Sequence, residues 1–431
     1  MNVRNSCAIT RALIDLAALR HNLRRVREAA PGRRIMAIIK ADAYGHGLIR
    51  IARALASGVD SLGVARLEEA VRLRDAGVTQ PIILLEGFLE AAELAVIDQQ
   101  RLHVVVHRPE QIAILEQASI HESAAEGRAD SLLPLAGEGG PRGRMRERPP
   151  GSWAQPATMA VGRSLKQPLG VWLKVDTGMH RLGIAPAEAK SAWQRLQSCS
   201  GVEPLGLMTH LANADDRGDN FTLRQLECFT EMTAGIDASR SIANSAGILG
   251  WPESHADWVR PGVMLYGVSP FTGRSRRPAS RDISTSLYVR GHGEVEGLQP
   301  VMTLCSRLIA VNHLHKGDAV GYGGSWVCPE DMPVGVIAAG YGDGYPRHAE
   351  SGTPVLVNGR RVPLIGRVSM DMITVDLRSQ PQAQVGDPVV LWGKGLPVEE
   401  IARYASTIPY ELLCGVARRV EFVEINADGQ G

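Results

Sequence analysis

The sequence predicts an α/β fold in which a closed (β/α)8 barrel of the TIM type is followed by a mainly β C-terminal domain. Three observations lead to this prediction. Short apolar runs alternate with helical periods over roughly the first 270 residues, these runs number eight, and the pattern turns β-rich from about residue 298. The chain has 431 residues, which is enough for two or three domains.

Each strand of the predicted barrel is a short run that is apolar throughout, and helical stretches such as RIARALASG end in a glycine suited to a helix C-terminus. Such strands favour a parallel sheet covered by helices, and eight units fit a closed barrel. An open doubly wound sheet is the alternative, although it usually has fewer strands. The eight runs are 35–40, 61–65, 82–85, 103–106, 171–176, 206–210, 241–244 and 263–267.

The rest of the chain divides around this barrel. We expect the barrel over residues 1–271, an enlarged linker over 272–297 and the β-rich domain over 298–431. The N-terminus predicts a strand followed by an amphipathic helix rather than a signal peptide, because charged residues interrupt its apolar pattern. Residues 119–167 are rich in Gly, Pro, Arg and Ser, and we interpret them as a flexible insertion in an αβ loop.

Composition excludes several classes of protein. A net charge of +1 gives no basic surface for nucleic acid, and no apolar run approaches the ~18 residues of a membrane span. The six cysteines lack CxxC spacing. The sequence therefore predicts no metal site, no disulfide scaffold and a location in the reducing cytoplasm.

The first predicted strand ends in KADAYGHG, where Lys40 closes a buried run. Burial lowers the pKa of an amine, and a partly neutral amine can form a Schiff base with an aldehyde cofactor. The alternative is a surface lysine whose ammonium group reaches solvent, and this strand by itself does not decide between the two.

Polar residues at the ends of other strands favour the catalytic interpretation, since such positions are catalytic candidates in this architecture. Backbone N–H groups in ANSAG and RPGV, together with the Ser245 hydroxyl, also suit a phosphate. The polar residues are Lys174, Asp176, Arg181, His210, Asn244, Ser245 and, placed before the eighth strand, Arg260.

Several motifs resemble those of alanine racemases, pyridoxal-phosphate enzymes built from a barrel and a β-domain. The resemblance covers nearly the whole chain apart from residues 119–167 and 272–297, with all motifs in the family's order. The motifs are KADAYGHG, KVDTGMHRLG, ANSAG, RPGVMLYG, VGYGG, GYGDGYPR, GRVSMDM and TIPYE.

The resemblance implies interconversion of L- and D-alanine, either to supply D-alanine for peptidoglycan or to break alanine down. Lys40 matches the lysine that binds pyridoxal phosphate covalently and then acts as one base. Tyr322 in VGYGG matches the opposite base, which in this family comes from the partner subunit. A homodimer with shared active sites is therefore implied, with no nucleic acid or membrane as partner.

The resemblance also implies the remaining contacts of the cofactor. Arg260 matches the arginine facing the pyridine nitrogen, where an acidic residue is the pattern of related decarboxylases. His210 matches a histidine bonded to that arginine, although a satisfied core histidine is as good an interpretation. The residues matching those around the phosphate are Tyr44, Ser245, Gly262, Val263 and Tyr410.

For the substrate, the resemblance implies Arg181 near the carboxylate and the backbone N–H of Met370 holding it. Tyr341 matches an aromatic residue of the entrance, and Asp371 is expected to organise its loop. Lys174 matches a lysine that is carbamylated in some relatives.

Three functions stay open on the sequence alone. Besides the alanine racemase, the chain could be another barrel-type pyridoxal enzyme, namely a decarboxylase or a racemase of other amino acids. It could also be a pyridoxal-phosphate carrier without catalysis. Arg260 argues against the decarboxylase, and Tyr322 argues against the carrier, because a carrier needs no second base.

Overall fold

The computed structural model describes residues 8–126, 165, 167–271 and 296–427. The chain begins with strand β1 (Arg11–Asp15) and helix α1 (Leu16–Ala29). Asp15 caps this helix, because its carboxylate accepts hydrogen bonds from Ala17 N at 2.9 Å and from Ala18 N at 3.0 Å. The predicted order of strand and amphipathic helix is confirmed.

Eight parallel strands close into the predicted barrel. They are β2 (Arg34–Ile38), β3 (Ser61–Val64), β4 (Ile82–Leu84), β5 (His103–Val106), β6 (Leu169–Lys174), β7 (Val202–Met208), β8 (Ser239–Ser241) and β9 (Trp258–Val259). The helices on their outside are α2 (Leu48–Leu55), α3 (Leu67–Asp75), α4 (Leu94–Gln99), α5 (Pro109–Glu126), α6 (Ala189–Ser198), α7 (Phe221–Thr233) and α8 (Ser245–Gly250).

Apolar side chains from five of the strands, β2 and β4 to β7, fill the inside of the barrel, and these strands are apolar as the sequence indicated. Strand β8 differs, because its three residues are Ser, Arg and Ser. Trp172 packs edge-to-face on Trp258 with ring centroids 5.7 Å apart. The buried interior residues are Met36, Ile38, Ile83, Val105, Trp172 and Met208.

The predicted eighth strand is wrong. Residues Val263–Tyr266 form a buried 3-10 turn, and the last barrel strand is the shorter β9. A short apolar run does not distinguish a buried strand from a buried turn, which explains the error. Arg260 consequently follows the eighth strand instead of preceding it, and it lies at the same end of the barrel as the other strand-end residues.

The insertion and the linker fall largely outside the described residues, and these two predictions are untested there. Helix α5 continues to Glu126, beyond the expected start of the insertion at 119. The next described strand is β6. Residues 127–164 and 272–295 are outside the described part of the chain.

The C-terminal part is mainly β, as predicted. Its strands are β10 (Met302–Leu314), β11 (Ala319–Val320), β12 (Trp326–Val327), β13 (Met332–Ile337), β14 (Pro354–Val357), β15 (Arg360–Ile365), β16 (Ile373–Asp376), β17 (Pro388–Trp392) and β18 (Glu421–Ile425). Two short helices, α9 (Val398–Tyr404) and α10 (Pro409–Cys414), precede the last strand.

Strand β1 does not join the barrel. It pairs antiparallel with β10 and parallel with β18, so the first strand of the chain lies inside the C-terminal sheet. Helix α1 then leads directly from that sheet to the barrel. The sequence pattern did not indicate this exchange between the two parts.

Candidate active site

Polar side chains gather at one mouth of the barrel, because parallel strands present their C-terminal ends there. Lys40 lies two residues beyond β2, and Lys174 is the last residue of β6. His210 lies two residues beyond β7, Ser245 begins α8 after β8, and Arg260 follows β9 directly. The structure thus brings together the strand-end residues that the sequence singled out.

Lys40 is joined to an unusual stretch of backbone. Ala41, Asp42, Ala43 and Tyr44 have successive φ values of 55°, 52°, 57° and 52°, so they form a left-handed turn without glycine. Each such residue costs about 1–2 kcal/mol relative to the right-handed form. Strain of this kind persists only where the surroundings fix the backbone, and it concentrates at functional sites.

Asp42 and Glu69 fasten the outer side of this turn. One Glu69 oxygen accepts a hydrogen bond from Asp42 N at 3.2 Å, and the other accepts from Ala65 N at 3.1 Å. The Asp42 carboxylate accepts from Leu48 N at 3.1 Å, at the start of α2. The turn is therefore connected to the helices on both of its sides.

The two lysines at the mouth are less basic than ordinary lysines. Burial, followed by the nearby positive charge of Arg181, lowers the pKa of Lys40. The pKa of Lys174 falls to about 8 because of burial and of the charges of Arg260, Arg181 and Lys40. Both shifts favour the neutral amine, which is the reactive form of a lysine.

Arg260 is buried without losing its charge. Its Nη1 donates to the Ser241 hydroxyl at 2.7 Å, and its Nη2 donates to the carbonyls of Thr209 and Ile242 at 2.5 and 3.1 Å. These partners are all neutral, and burial lowers the Arg260 pKa only to about 10. A buried guanidinium held by neutral groups keeps a positive field at the mouth.

His210 is the neighbour that the sequence associated with Arg260. Its Nδ1 lies 3.5 Å from Arg260 Nη2, at the long limit of a hydrogen bond. Burial and then the charge of Arg260 hold the pKa of His210 well below its ordinary value. The imidazole is therefore neutral at physiological pH, so its Nδ1 can accept from the guanidinium.

Small polar groups form a cradle beside these cations. The Ser245 hydroxyl accepts hydrogen bonds from Gly262 N at 2.9 Å and from Met264 N at 3.3 Å. The Tyr44 ring lies beside Tyr410, with centroids 5.9 Å apart. A Cβ at Gly262 would come within 2.7 Å of the Tyr44 hydroxyl, so a larger residue there would displace that hydroxyl.

The residues predicted to meet the substrate occupy a different position. Tyr322, Tyr341 and Met370 belong to the C-terminal domain, where they are 67%, 41% and 53% exposed. Arg181, on the loop after β6, is also exposed. Within one chain the structure therefore assembles the cofactor side of the predicted site and leaves the substrate side on the surface.

Arg419 joins the two loops that carry Tyr341 and Met370, although sequence reasoning gave it no role. Its Nε donates to Asp343 at 2.7 Å and its Nη2 donates to Asp371 at 2.7 Å. Gly342 N also donates to Met370 O at 2.8 Å. Asp371 holds its loop in place, as expected. Its partner Arg419 lies far along the chain, so no local pattern indicated that the two residues pair.

Sequence reasoning also missed His46 and Tyr266. His46 stands inside the KADAYGHG motif without a role that the sequence reveals, and the run containing Tyr266 resembles a strand. Both are buried directly beneath the left-handed turn, with ring centroids 4.6 Å apart. Only the unusual backbone of the turn reveals why they lie there.

Two features are absent from the described residues. None of their helices combines the length and the apolar character needed to cross a membrane. In the same residues, no group of three or more His, Cys, Asp and Glu side chains is arranged to hold a metal ion.

Comparison with known proteins shows the family of the chain. Residues 14–126 and 152–270 match the family model of the alanine racemase N-terminal domain, and residues 301–424 match that of the C-terminal domain. The chain is 50% identical to the alanine racemase of Nitrosococcus oceani over 410 residues, which are 95% of this chain and 97% of that protein.

Solved structures are similar over almost the entire chain. The biosynthetic alanine racemase of Pseudomonas aeruginosa is 39% identical, with a TM-score of 0.79, over 97% of this chain and 99% of that one. The Bartonella henselae alanine racemase, described with covalently bound pyridoxal phosphate, is 26% identical, with a TM-score of 0.75, over 97% of this chain and all of that one.

Proposed function

The chain belongs to the alanine racemase family and interconverts L- and D-alanine, and we propose that Lys40 and Tyr322 are its two bases. We further propose that pyridoxal phosphate is held at the mouth of the barrel and that Tyr322 comes from a second copy of the chain. The observation that carries this proposal is the division of the site between a half-buried amine, Lys40, and an exposed phenol, Tyr322.

The groups at the mouth fit pyridoxal phosphate chemically. A half-buried amine of lowered pKa, Lys40, suits the aldehyde, and the buried guanidinium of Arg260 suits the pyridine nitrogen. The hydroxyls of Tyr44, Ser245 and Tyr410, with the backbone of Gly262 and Val263, suit the phosphate. When bound, this cofactor supplies an electron sink that acidifies the Cα–H bond of the amino acid.

The protein supplies the bases and their orientation. Racemisation requires a proton to leave Cα on one face and to return on the other, so two bases on opposite faces meet this demand. Lys40 Nζ is one base, and the lowering of its pKa by burial favours the neutral amine that can accept a proton. The Tyr322 hydroxyl is the other, because it is a phenol exposed on a separate domain.

Arg260 controls where protons go. It is a permanent donor, so it would leave a pyridine nitrogen facing it unprotonated. A cofactor held in this way would be a weaker electron sink, which would favour return of the proton to Cα. His210, which is neutral and next to Arg260, positions the guanidinium.

Substrate contacts come from groups of both domains. Arg181 and the backbone N–H of Met370 hold the carboxylate, and Tyr341 lines the entrance, where aromatic groups favour a small side chain. Lys174, with a pKa of about 8, has the neutral fraction that carbamylation needs, and a carbamate would then attract Arg181.

Mixing two inactive variants tests the proposal directly. Lys40→Ala and Tyr322→Phe are purified separately, mixed under conditions that allow subunits to exchange, and assayed with L-alanine in heavy water for deuterium at Cα and for D-alanine. If sites are shared, a mixed dimer contains one intact Lys40–Tyr322 site, so about a quarter of wild-type activity returns after random exchange.

A matched control places both substitutions in one chain. The double variant Lys40→Ala/Tyr322→Phe, mixed with Lys40→Ala, contains no intact site and stays inactive. Failure of the first mixture to regain activity, with exchange verified by mass labelling, would show that Tyr322 serves its own chain or is not a base.

Two finer points also belong to this proposal. The similar P. aeruginosa protein is a biosynthetic alanine racemase, which supports D-alanine supply for peptidoglycan as the role of this chain. A cytoplasmic location agrees with the free thiols of Cys199, Cys228, Cys305, Cys328 and Cys414.

A further inference from the structure

The left-handed turn at residues 41–44 rests on a side chain that the proposed mechanism does not use. Consecutive non-glycine residues do not hold this backbone by themselves, so contacts outside the turn must fix it. His46 follows two residues after the turn and is fully buried. Its contacts run back into the turn rather than onward into α2.

The imidazole of His46 donates into the turn. Its Nδ1 lies 3.1 Å from Ala43 O and 2.9 Å from Tyr44 O. Both partners are carbonyl acceptors, so Nδ1 carries the proton and the ring is the neutral Nδ1–H tautomer. Burial lowers the pKa of His46 to about 4, which agrees with a neutral ring.

The same ring closes an aromatic stack beneath the turn. Tyr266 lies between His46 and Tyr44, with ring centroids 4.6 Å from the first and 4.8 Å from the second. The Tyr266 hydroxyl donates to Ile38 O at 3.1 Å, at the last residue of β2. One stack therefore braces the backbone on both sides of Lys40.

Tyr44 carries this arrangement to the phosphate cradle. Its backbone is the fourth left-handed residue, and its hydroxyl packs against Gly262, whose N–H is bonded to Ser245. A change of backbone conformation at Tyr44 would move that hydroxyl away from the cradle.

From these contacts we propose that His46 is a positioning residue, whose Nδ1–H holds the left-handed turn so that Tyr44 and Lys40 face the cofactor. This inference rests on the proposed function. Holding the turn in this way requires a buried hydrogen-bond donor at the δ position of the side chain. Asparagine keeps such a donor and loses the ring, whereas phenylalanine keeps a ring and loses the donor.

The test compares the affinity of the apoprotein for pyridoxal 5′-phosphate, measured by equilibrium dialysis, in wild type, His46→Asn and His46→Phe. We expect His46→Asn to bind within about 3-fold of wild type and His46→Phe to bind about 10-fold more weakly, the scale of one lost buried hydrogen bond. A role in core packing alone predicts the reverse order, because phenylalanine fills the space better. His21→Phe, in α1, loses an exposed bond from the ring to Gly297 O; it serves as the control and should bind like wild type.

A second readout needs no cofactor. Amide hydrogen exchange of Gly45 and Gly47, whose N–H groups bond to Ala41 O and Asp42 O, should quicken in the His46→Phe apoprotein and stay slow in His46→Asn. Adding Ala41→Gly to His46→Phe should recover at least about 3-fold in affinity, since glycine accepts positive φ without support.

The outcomes separate two failures. A wild-type chain that takes up no pyridoxal 5′-phosphate overturns the proposed function and this inference together. A wild-type chain that binds it while His46→Phe binds as tightly as, or more tightly than, His46→Asn overturns the inference alone. Unchanged exchange at Gly45 and Gly47 in both variants would also overturn the inference alone.

Discussion

The barrel mouth and the exposed loops of the C-terminal domain differ in how complete a site they form within a single chain. At the mouth, Arg260 is buried and bonded to the half-buried His210, and Lys40 is half-buried as well. On the other domain, Tyr322 and Met370 are more than half exposed. The cofactor side is thus preorganised by folding of one chain, whereas the substrate side stays exposed, which is the contrast behind the proposal that a second copy completes the site.

The largest expected effect comes from the buried side. Lys40→Ala removes both the covalent attachment and one base, so we expect racemisation to fall by at least ~10⁴-fold. The visible absorbance of the lysine-bound cofactor should disappear as well. Lys190→Ala, at an exposed lysine in α6, should leave both unchanged. An unchanged absorbance in Lys40→Ala would refute the assignment of the attachment site.

A substitution of Tyr322, on the exposed side, should separate cofactor binding from catalysis. Tyr322→Phe should keep wild-type cofactor absorbance while racemisation falls by roughly 10²–10⁴-fold, the effect of one lost acid–base group. Because Lys40 remains, one enantiomer should still exchange its Cα proton for deuterium without inverting. Tyr404→Phe in α9 is the matched control. Wild-type turnover in Tyr322→Phe would remove the second base from the mechanism.

Arg419 tests whether the exposed loops are held in place before two chains meet. Arg419→Gln should raise the KM for alanine by about 3–10-fold with little change in cofactor affinity, because two charge-assisted hydrogen bonds to Asp343 and Asp371 are lost. Arg418→Gln, at the exposed neighbouring residue, should behave like wild type. A fall in cofactor affinity without a change in KM would show that Arg419 acts elsewhere.

The crowded cations of the mouth predict a pH effect on stability. The pKa of Lys174 is about 8 in the folded chain against an ordinary 10.5, so between these values the unfolded chain binds more protons. The free energy of unfolding of the apoprotein should therefore rise as pH increases from about 8 towards 10. Lys174→Gln should flatten this rise in thermal unfolding, and Lys394→Gln, at an exposed lysine, should not. An identical rise in both variants would contradict the shifted pKa.

The smallest expected effect is on the strained turn. Ala41→Gly should raise the free energy of unfolding by about 0.5–1 kcal/mol, because glycine adopts positive φ readily but loses more chain entropy on folding. Ala17→Gly, in the right-handed helix α1, should lower it instead. Denaturant unfolding of both variants checks the difference in sign.

Much of the mouth could be predicted because parallel strands deliver their ends to one place. Lys40, Lys174, His210 and Ser245 were found by that rule, and motifs supplied their roles. The left-handed turn could not be predicted, because ADAY contains no glycine and its backbone depends on His46 and Tyr266.

The other errors have similar physical causes. The run VMLYG is apolar whether it is a strand or a buried turn, so periodicity could not place it. The pairing of β1 with β18 joins residues at opposite ends of the chain, and no local pattern records such a contact. Tyr322 was identified by its motif, since composition alone would have made it an ordinary strand aromatic residue.

The position of β1 has a consequence for biosynthesis. Arg11 pairs with Glu421, so β1 leaves the ribosome long before its neighbour β18 has been made. At about 5–20 residues per second, this wait lasts roughly 20–80 s. The barrel can form during this time. The edge of β1 that β18 will cover stays unpaired meanwhile, so a strand of a neighbouring nascent chain could pair with it. Loss of β18 would likewise expose β1, because β18 covers the edge of β1.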